Sequence, residues 1–253
     1  MNVNEHYQKL AKEYGADPKM SMKDLYTRNM EIQTIYKYLK LYSSSKSSIL
    51  EVGCGNGYTA EIISSELNAD MIGIDACQEL IDIARLRPGN CTFYIGNATD
   101  LQFEDNSLDI IYTERCLINL LEEGMQEKAL NEIYRVLKVG GIYVMIECFT
   151  DGLDNLNKAR KDVKLYSISE PYHNKYFNKE WFLKYVKDKF KVVNTDQNFL
   201  SSYYWGSRVL YPAILKGDPE YNTKFVEFFT LMQPLGNYSY IQIYVLEKKK
   251  RRN

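Results

Sequence analysis

Apolar and polar residues alternate along the chain in a pattern that predicts strands and helices in turn. From residue 46 to about 150, apolar runs of strand length are separated by stretches with apolar residues at helical spacing. The predicted strands fall near 49–53, 70–75, 92–96, 108–113 and 141–149. The stretch 124–138 has apolar residues on one helical face, and we expect Gly140 and Gly141 to end this helix. Strands that alternate with helices predict a doubly wound, parallel α/β sheet.

The pattern changes on both sides of this alternating region. Residues 1–45 carry apolar residues at helical spacing and are predicted to be helical. Near the other end, a helix is predicted over 180–189. The stretches 191–199 and 238–246 alternate apolar and polar residues, as half-buried antiparallel strands do. Together these elements predict a seven-stranded, mostly parallel sheet with an antiparallel C-terminal strand.

Two segments are too long to be simple connections. Residues 150–178 are polar, and residues 200–237 separate the last two predicted strands by far more than a hairpin turn requires. Loops of this length in compact domains usually have a function. We therefore expect an N-terminal helical lid at 1–45, and an α/β domain at 46–253 with lid insertions at about 150–178 and 200–237.

Composition indicates an ordinary soluble enzyme. The 253 residues carry a net charge of −1, which gives no overall attraction to nucleic acid or to an anionic membrane. No run of about 18 apolar residues is present, and the first residues lack the apolar core of a signal peptide, so we expect a cytoplasmic location. The five cysteines form no CxxC pair, which predicts reduced thiols and no metal site.

The segment from Ser48 to Asp75 predicts a nucleoside-binding unit. An apolar strand that contains Glu51 leads into the sequence GCGNG, a helical stretch follows, and a second apolar strand ends on Asp75. Glycines Gly53, Gly55 and Gly57 let the backbone approach a ligand closely. An acid at the end of the second strand can accept hydrogen bonds from both ribose hydroxyls.

The spacing of the glycines distinguishes two classes of ligand. A dinucleotide fingerprint reads G-x-G-x-x-G, but Tyr58 occupies the position of its third glycine here. An acid inside the first strand suits a ligand with a cationic amino-acid end better than a pyrophosphate. This stretch resembles the first motif, [DE]-x-G-x-G-x-G, of the class I S-adenosylmethionine (SAM)-dependent methyltransferases. The resemblance implies SAM as cofactor and S-adenosylhomocysteine as product.

The resemblance continues beyond this loop to about residue 150. The segment from Phe93 to Leu101 resembles the family's third motif, which ends beside the adenine, although Asn97 stands where many relatives have Asp. Residues 129–147 resemble a helix, Gly-Gly and strand unit of the small-molecule branch. The cofactor site implied by the resemblance comprises Arg28, Glu51, Gly53, Cys54, Gly55, Gly57, Asp75, Ala76, Asn97, Ala98 and Glu114.

Arg28 has two interpretations. Its segment resembles the lid helix of relatives in which an arginine grips the methionine carboxylate. Alternatively, Arg28 and Glu31 belong to a solvated helix face.

The candidate catalytic residues are Glu114, Arg115 and His173. Glu114 and Arg115 directly follow an apolar strand. The resemblance implies that Glu114 lines the methyl-transfer channel, as residues at its place do in relatives, and Arg115 can hold an anionic group. Alternatively, the two residues form an ion pair or a helix cap. His173 lies among aromatic residues and is either a general base or a surface histidine. His6, the other histidine, is expected to be solvated.

The function predicted from the sequence is methyl transfer from SAM to an oxygen of a small polar metabolite, such as a saccharide or another cell-envelope or secondary-metabolite precursor. The alternatives are N- or C-methylation, a nicotinamide-dependent oxidoreductase, and a non-catalytic SAM-fold binding subunit. Signatures of DNA methyltransferases are absent. We expect neither nucleic acid nor a membrane as partner, and a monomer or homodimer.

Overall fold

The structure is a computed structural model and describes residues 2–67, 69–215 and 220–250. Its central sheet contains the strands β1 (Ile49–Val52), β2 (Met71–Asp75), β3 (Cys91–Ile95), β4 (Leu108–Glu114), β5 (Leu137–Cys148), β6 (Phe190–Val192) and β7 (Ile241–Lys248). The α-helices are α1 (Val3–Tyr14), α2 (Leu25–Tyr42), α3 (Tyr58–Leu67), α4 (Gln78–Ala84), α5 (Met125–Val136), α6 (Thr150–Asp162), α7 (Lys179–Val186), α8 (Ser201–Trp205), α9 (Tyr211–Leu215) and α10 (Lys224–Phe228).

The strands follow the order β3-β2-β1-β4-β5-β7-β6 across the sheet. Strands β1 to β5 pair in parallel, and β7 is antiparallel to both β5 and β6. The predicted doubly wound, mostly parallel sheet is therefore confirmed. The order reverses between β1 and β4, and such a switch point opens a crevice at the carboxyl ends of the strands.

The core lies on both faces of the central strands. Ile111 on β4 and Tyr143 and Val144 on β5 are fully buried, as expected for strands covered by helices on both sides. Helix α5 contributes Leu130 and Ile133, which are also fully buried. This packing fixes the carboxyl ends of β1 and β4 rigidly beside each other.

The glycine pair at 140–141 does not end a helix, contrary to the sequence prediction. Helix α5 ends at Val136, and Leu137 is already extended and begins β5. Gly140 and Gly141 lie inside that strand, where its register with β4 shifts. A Cβ at Gly141 would lie 2.9 Å from the carbonyl oxygen of Asp109. The glycines therefore permit close approach of two strands at a bulge.

The strand predicted over 191–199 is much shorter in the structure, where β6 ends at Val192. Beyond β6, the side chain of Asn194 forms hydrogen bonds with the backbone of β7. Its Oδ1 accepts from the N–H of Val245 at 2.8 Å, and its Nδ2 donates to the carbonyl of Ile243 at 3.2 Å. Alternation alone did not reveal that a side chain takes over these bonds.

The regions predicted as lids contain more helix than their patterns indicated. Segment 150–178 begins with α6, and segment 200–237 contains α8, a π-helical stretch at Gly206–Leu210, α9 and α10. The region 1–45 is helical, as predicted, over α1 and α2. Within the described ranges, no helix combines the length and apolarity that crossing a bilayer requires.

Candidate functional site

A cavity of about 180 Å³ lies at the carboxyl ends of β1, β2 and β4. Helices α1 and α2 and the loop after β1 also border it. Every predicted cofactor residue except Gly57 lines it, namely Arg28, Glu51, Gly53, Cys54, Gly55, Asp75, Ala76, Asn97, Ala98 and Glu114. Of the predicted catalytic residues, Glu114 and Arg115 line the cavity and His173 does not.

The loop after β1 depends on glycine for its shape. Gly53, Gly55 and Gly57 have φ angles of 82°, 53° and 75°, a region that side chains with a Cβ rarely adopt. The N–H of Gly53 donates to the carbonyl of Ile74 at 2.7 Å, which ties the loop to β2. A Cβ at Gly53 would lie 2.4 Å from Sγ of Cys116. The loop therefore runs close to the end of β4 and leaves backbone exposed to the cavity.

Gly57 has a different environment from the other two glycines. A Cβ there would lie 2.9 Å from Cζ of Phe93 and 2.9 Å from Cβ of Ala84. The third glycine thus lets the start of α3 pack against β3 and α4, and it makes no part of the cavity wall.

Asp75 fixes the loop and also faces the cavity. Its Oδ2 accepts from the N–H of Gly55 and its Oδ1 from the N–H of Cys77, both at 2.9 Å. Burial raises the pKa of Asp75, although these backbone hydrogen bonds act in the opposite direction. Each carboxylate oxygen has a further lone pair, so Asp75 can hold the loop and still accept from ligand hydroxyls.

Glu51 is a buried acid without a full set of partners. It is 1% exposed, and its Oε2 has no hydrogen-bond partner. Burial, reinforced by the charge of Glu114, raises the pKa of Glu51 to about 8. An unpaired buried carboxyl group is unfavourable, so a cationic group in the cavity would stabilise its ionised form.

Arg28 is a buried cation on the same cavity. Helix α2 carries it and is capped by the side chain of Asp24. Its guanidinium donates to Oγ of Ser21 and, at 3.4 Å, to Oγ1 of Thr59, while its Nε has no partner. Among the described residues, no carboxylate oxygen forms a salt bridge with Arg28. The structure therefore does not support the solvated-face alternative.

Asn97 uses its carbonyl oxygen locally. Its Oδ1 accepts from both the N–H and the Oγ1 of Thr99 at 2.9 Å. Ala76 and Ala98 complete this end of the cavity. An amino group of a ligand would thus find its acceptor in a backbone carbonyl more readily than in Asn97.

Glu114 and Arg115 form an ion-pair network with Glu31 of α2. Nε of Arg115 lies 3.0 Å from Oε1 of Glu31, and its Nη2 lies 3.4 Å from Oε1 of Glu114. Nη1 of Arg115 donates to the backbone carbonyl of Ser21 at 3.0 Å. Oγ1 of Thr59 donates to Oε2 of Glu114 at 2.6 Å. The ion-pair alternative for Arg115 is what the geometry shows.

The two acids of this network differ in their titration. Burial raises the pKa of Glu31 to about 8. The charge of Glu114 also raises this pKa, whereas the charge of Arg115 lowers it. Burial also opposes ionisation of Glu114, but the charges of Arg28 and Arg115 outweigh it and lower its pKa. The carboxyl group of Glu114 therefore ionises more readily than that of Glu31.

Glu147 positions the loop after β4. It is fully buried, and its carboxylate accepts from the N–H groups of Cys116, Leu117 and Ile118 at 2.9–3.2 Å. Burial raises its pKa to about 7 despite these bonds. This loop carries Asn119 into the cavity wall.

His173 and His6 stack on each other outside the cavity, with ring centroids 4.0 Å apart. The sequence pattern gave no sign of this pairing. It also gave no sign that Tyr7 lines the cavity, where its hydroxyl donates to Oδ1 of Asn119 at 2.9 Å. Thr59 was missed too, although its place two residues after the last glycine of the loop was a usable signal.

Comparison with known proteins agrees with the site. Residues 49–141 match the family model of a methyltransferase domain, and residues 3–91 match that of protein-L-isoaspartate(D-aspartate) O-methyltransferase. The sterol 24-C-methyltransferase of Neurospora crassa is 27% identical over 73% of this chain and 49% of its own length. The ubiquinone/menaquinone C-methyltransferase UbiE of Campylobacter jejuni is 32% identical over 44% of this chain and 48% of its own length.

A solved structure shows the same fold over the whole chain. It is a putative methyltransferase in complex with the Haloferax volcanii Trm112 methyltransferase activator, with a TM-score of 0.64, 14% identity and full coverage of both chains. The motifs and the family model that matches residues 49–141 support a class I SAM-dependent methyltransferase domain, and the solved structure shows that the fold is shared. The chain spans about half the length of the two curated relatives.

Proposed function

We propose that this protein binds SAM in the cavity described above and transfers its methyl group to an oxygen of a small polar molecule. The observation that carries the proposal is the pair of buried, incompletely partnered groups on the cavity, Oε2 of Glu51 and Nε of Arg28. Their opposite charges complement the ammonium and carboxylate groups of an amino acid. Asp75 lies on the same cavity, where it can accept from ribose hydroxyls.

We further propose that residues 1–45 cover the bound cofactor. Val3, Tyr7 and Met20 all line the cavity. A lid excludes water and strengthens each charged interaction within the site.

The chemistry requires mainly alignment. Bound SAM supplies an electrophilic methyl group on a sulfonium. The protein must then orient the acceptor in line with that methyl group, so positioning and electrostatics account for most of the acceleration. Glu114 and Asn119 offer hydrogen-bond acceptor oxygens on the cavity wall for an acceptor hydroxyl. Arg115, held by Glu31, keeps Glu114 in place and ionised.

A carbon acceptor is the second candidate, because both curated relatives named above are C-methyltransferases. Whether the methyl group goes to oxygen or to carbon, we propose that the acceptor is a small molecule and not a nucleic acid. The net charge of −1 supports this proposal.

Calorimetry with S-adenosylhomocysteine, SAM and NAD tests the cofactor assignment. Binding of the first two without NAD is the expected result, and binding of NAD alone would overturn it. Transfer of an isotopically labelled methyl group to pooled metabolites, followed by mass spectrometry of the products, then distinguishes oxygen from carbon. Binding of SAM without transfer to any pool would instead favour a non-catalytic binding subunit.

A further inference from the structure

The two histidines of the chain form a stacked pair. His6 lies on α1 and His173 lies in the segment between α6 and α7, and their rings are 4.0 Å apart with an interplanar angle of 19°. The chain contains no other histidine. The stack therefore joins the N-terminal helix to one of the insertions.

Aromatic residues border the pair on several sides. The hydroxyl of Tyr172 lies 3.0 Å from Nδ1 of His6, and its ring contacts the edge of His173 at 5.1 Å. Tyr7 contacts both histidine rings edge-on. Nδ1 of His173 is buried and has no partner. A proton on either ring would place a positive charge against the other, half-buried ring.

Among the residues that the structure describes, no carboxylate contributes to the titration of either histidine. Burial and the nearby Lys9 lower the pKa of His6, and burial and His6 lower the pKa of His173. On α4, which packs against α1, the carboxylate of Glu79 interacts with Lys12. At the end of β4, Arg115 adds positive charge near Tyr7. The charged groups around the stack thus disfavour its protonation.

The stack is connected directly to the cavity wall. The hydroxyl of Tyr7 donates to Oδ1 of Asn119 at 2.9 Å. Nδ2 of Asn119 donates to the carbonyl of His173 at 3.1 Å and to Oδ1 of Asn174 at 2.9 Å. Tyr7 and Asn119 both line the cavity. Separation of the two histidines would therefore pull α1 away from the cavity.

We propose that α1 and residues 172–174 form a closure over the cavity that opens when His6 or His173 takes up a proton. The inference rests on the proposed function in one respect: the ligand of the closed cavity is SAM. The closed form favours neutral histidines. Closure is therefore complete above the ordinary histidine pKa of 6.5 and weakens as the pH falls through that value towards the lowered pKa values.

Nuclear magnetic resonance of the full chain without ligand tests the stack. With only two histidines, the ring signals can be assigned from His6→Phe and His173→Phe, which retain an aromatic ring that does not titrate. We expect both histidines to titrate below pH 6.5, and His173 to titrate closer to 6.5 in a His6→Ala variant. Titration of either histidine at or above pH 6.5 in the native protein would overturn the proposal.

Hydrogen–deuterium exchange, corrected for the intrinsic pH dependence of exchange, tests the opening. We expect residues 3–14 to exchange at least about tenfold faster at pH 5 than at pH 8. The double variant His6→Phe/His173→Phe should keep the slow exchange at both pH values. Equal opening of the double variant and the native protein would refute the proposal. Both measurements need no ligand, so their failure is distinct from a failure to bind S-adenosylhomocysteine at pH 8.

Discussion

Nε of Arg115 donates to Oε1 of Glu31 at 3.0 Å, and this bond joins the residue after β4 to helix α2. Arg115 has a φ angle of 53°, a left-handed conformation that is unfavourable by about 1–2 kcal/mol for a side chain with a Cβ. Its ion pairs and its hydrogen bond to the carbonyl of Ser21 hold it there. The bond thus ties the predicted lid directly to the cavity wall.

Glu31→Gln should stabilise the protein at high pH relative to the native chain. The pKa of Glu31 in the folded protein, about 8, lies above its ordinary value of 4.5. The native protein therefore loses stability as the pH rises between these values, because only the unfolded chain releases the proton readily. We expect the difference in Tm, variant minus native, to become more positive from pH 5 to pH 8. Glu66→Gln, at an exposed position on α3, is the control. A constant difference would contradict the raised pKa of Glu31.

Arg115→Ala should lower turnover at least about tenfold once an acceptor is known, whereas His173→Ala should lower it less than tenfold. Loss of the guanidinium leaves Glu31 and Glu114 buried without their cation, but His173 lies outside the cavity. Steady-state kinetics at several pH values measure both, and Arg115→Lys separates charge from geometry. A hundredfold loss in His173→Ala, with loss of the pH limb near neutrality, would make His173 the general base.

Asp75→Ala should weaken SAM binding by more than about tenfold. The substitution removes an acceptor for ribose hydroxyls and also leaves the N–H groups of Gly55 and Cys77 without their partner. Titration calorimetry measures the dissociation constant, with Asp70→Ala, an exposed acid before β2, as the control. Unchanged affinity in Asp75→Ala would show that the acid at the end of β2 does not hold the cofactor.

Gly55→Ala and Gly140→Ala form a matched pair. Both glycines have positive φ angles, of 53° and 80°. A Cβ at Gly140 would meet nothing within 4 Å. A Cβ at Gly55 would lie 3.3 Å from Cε of Met20, which lines the cavity. We expect similar losses of Tm from backbone strain, but weaker binding of S-adenosylhomocysteine only in Gly55→Ala. Gly55→Val should be worse, and normal binding by that variant would refute the assignment of the loop.

Arg28→Ala should raise the dissociation constant of SAM while hardly changing that of adenosine, which has no carboxylate. Among the residues described, the buried guanidinium forms no salt bridge, and its Nε has no hydrogen-bond partner, so it can pair with a ligand carboxylate. Calorimetry with both ligands measures the effect, and Arg28→Lys tests whether charge alone suffices. Equal weakening of both ligands would mean that Arg28 only supports α2.

The sequence by itself determined the doubly wound sheet, the glycine loop and the places of Glu51 and Asp75. These features are local: strand-length apolar runs, glycines at positive φ and an acid at a strand end follow from a few consecutive residues. Gly53 and Asp75 lie on the same cavity because parallel strands bring their carboxyl ends to one edge of a sheet.

Only the tertiary structure decided which distant side chains meet. Arg115 with Glu31, Tyr7 with Asn119, and His6 with His173 join segments far apart in the chain. Their pairing depends on how the helices outside the sheet pack over its edge, and no periodicity in the sequence records that packing. The pKa values of the buried acids follow from the same contacts, because burial and neighbouring charges set them.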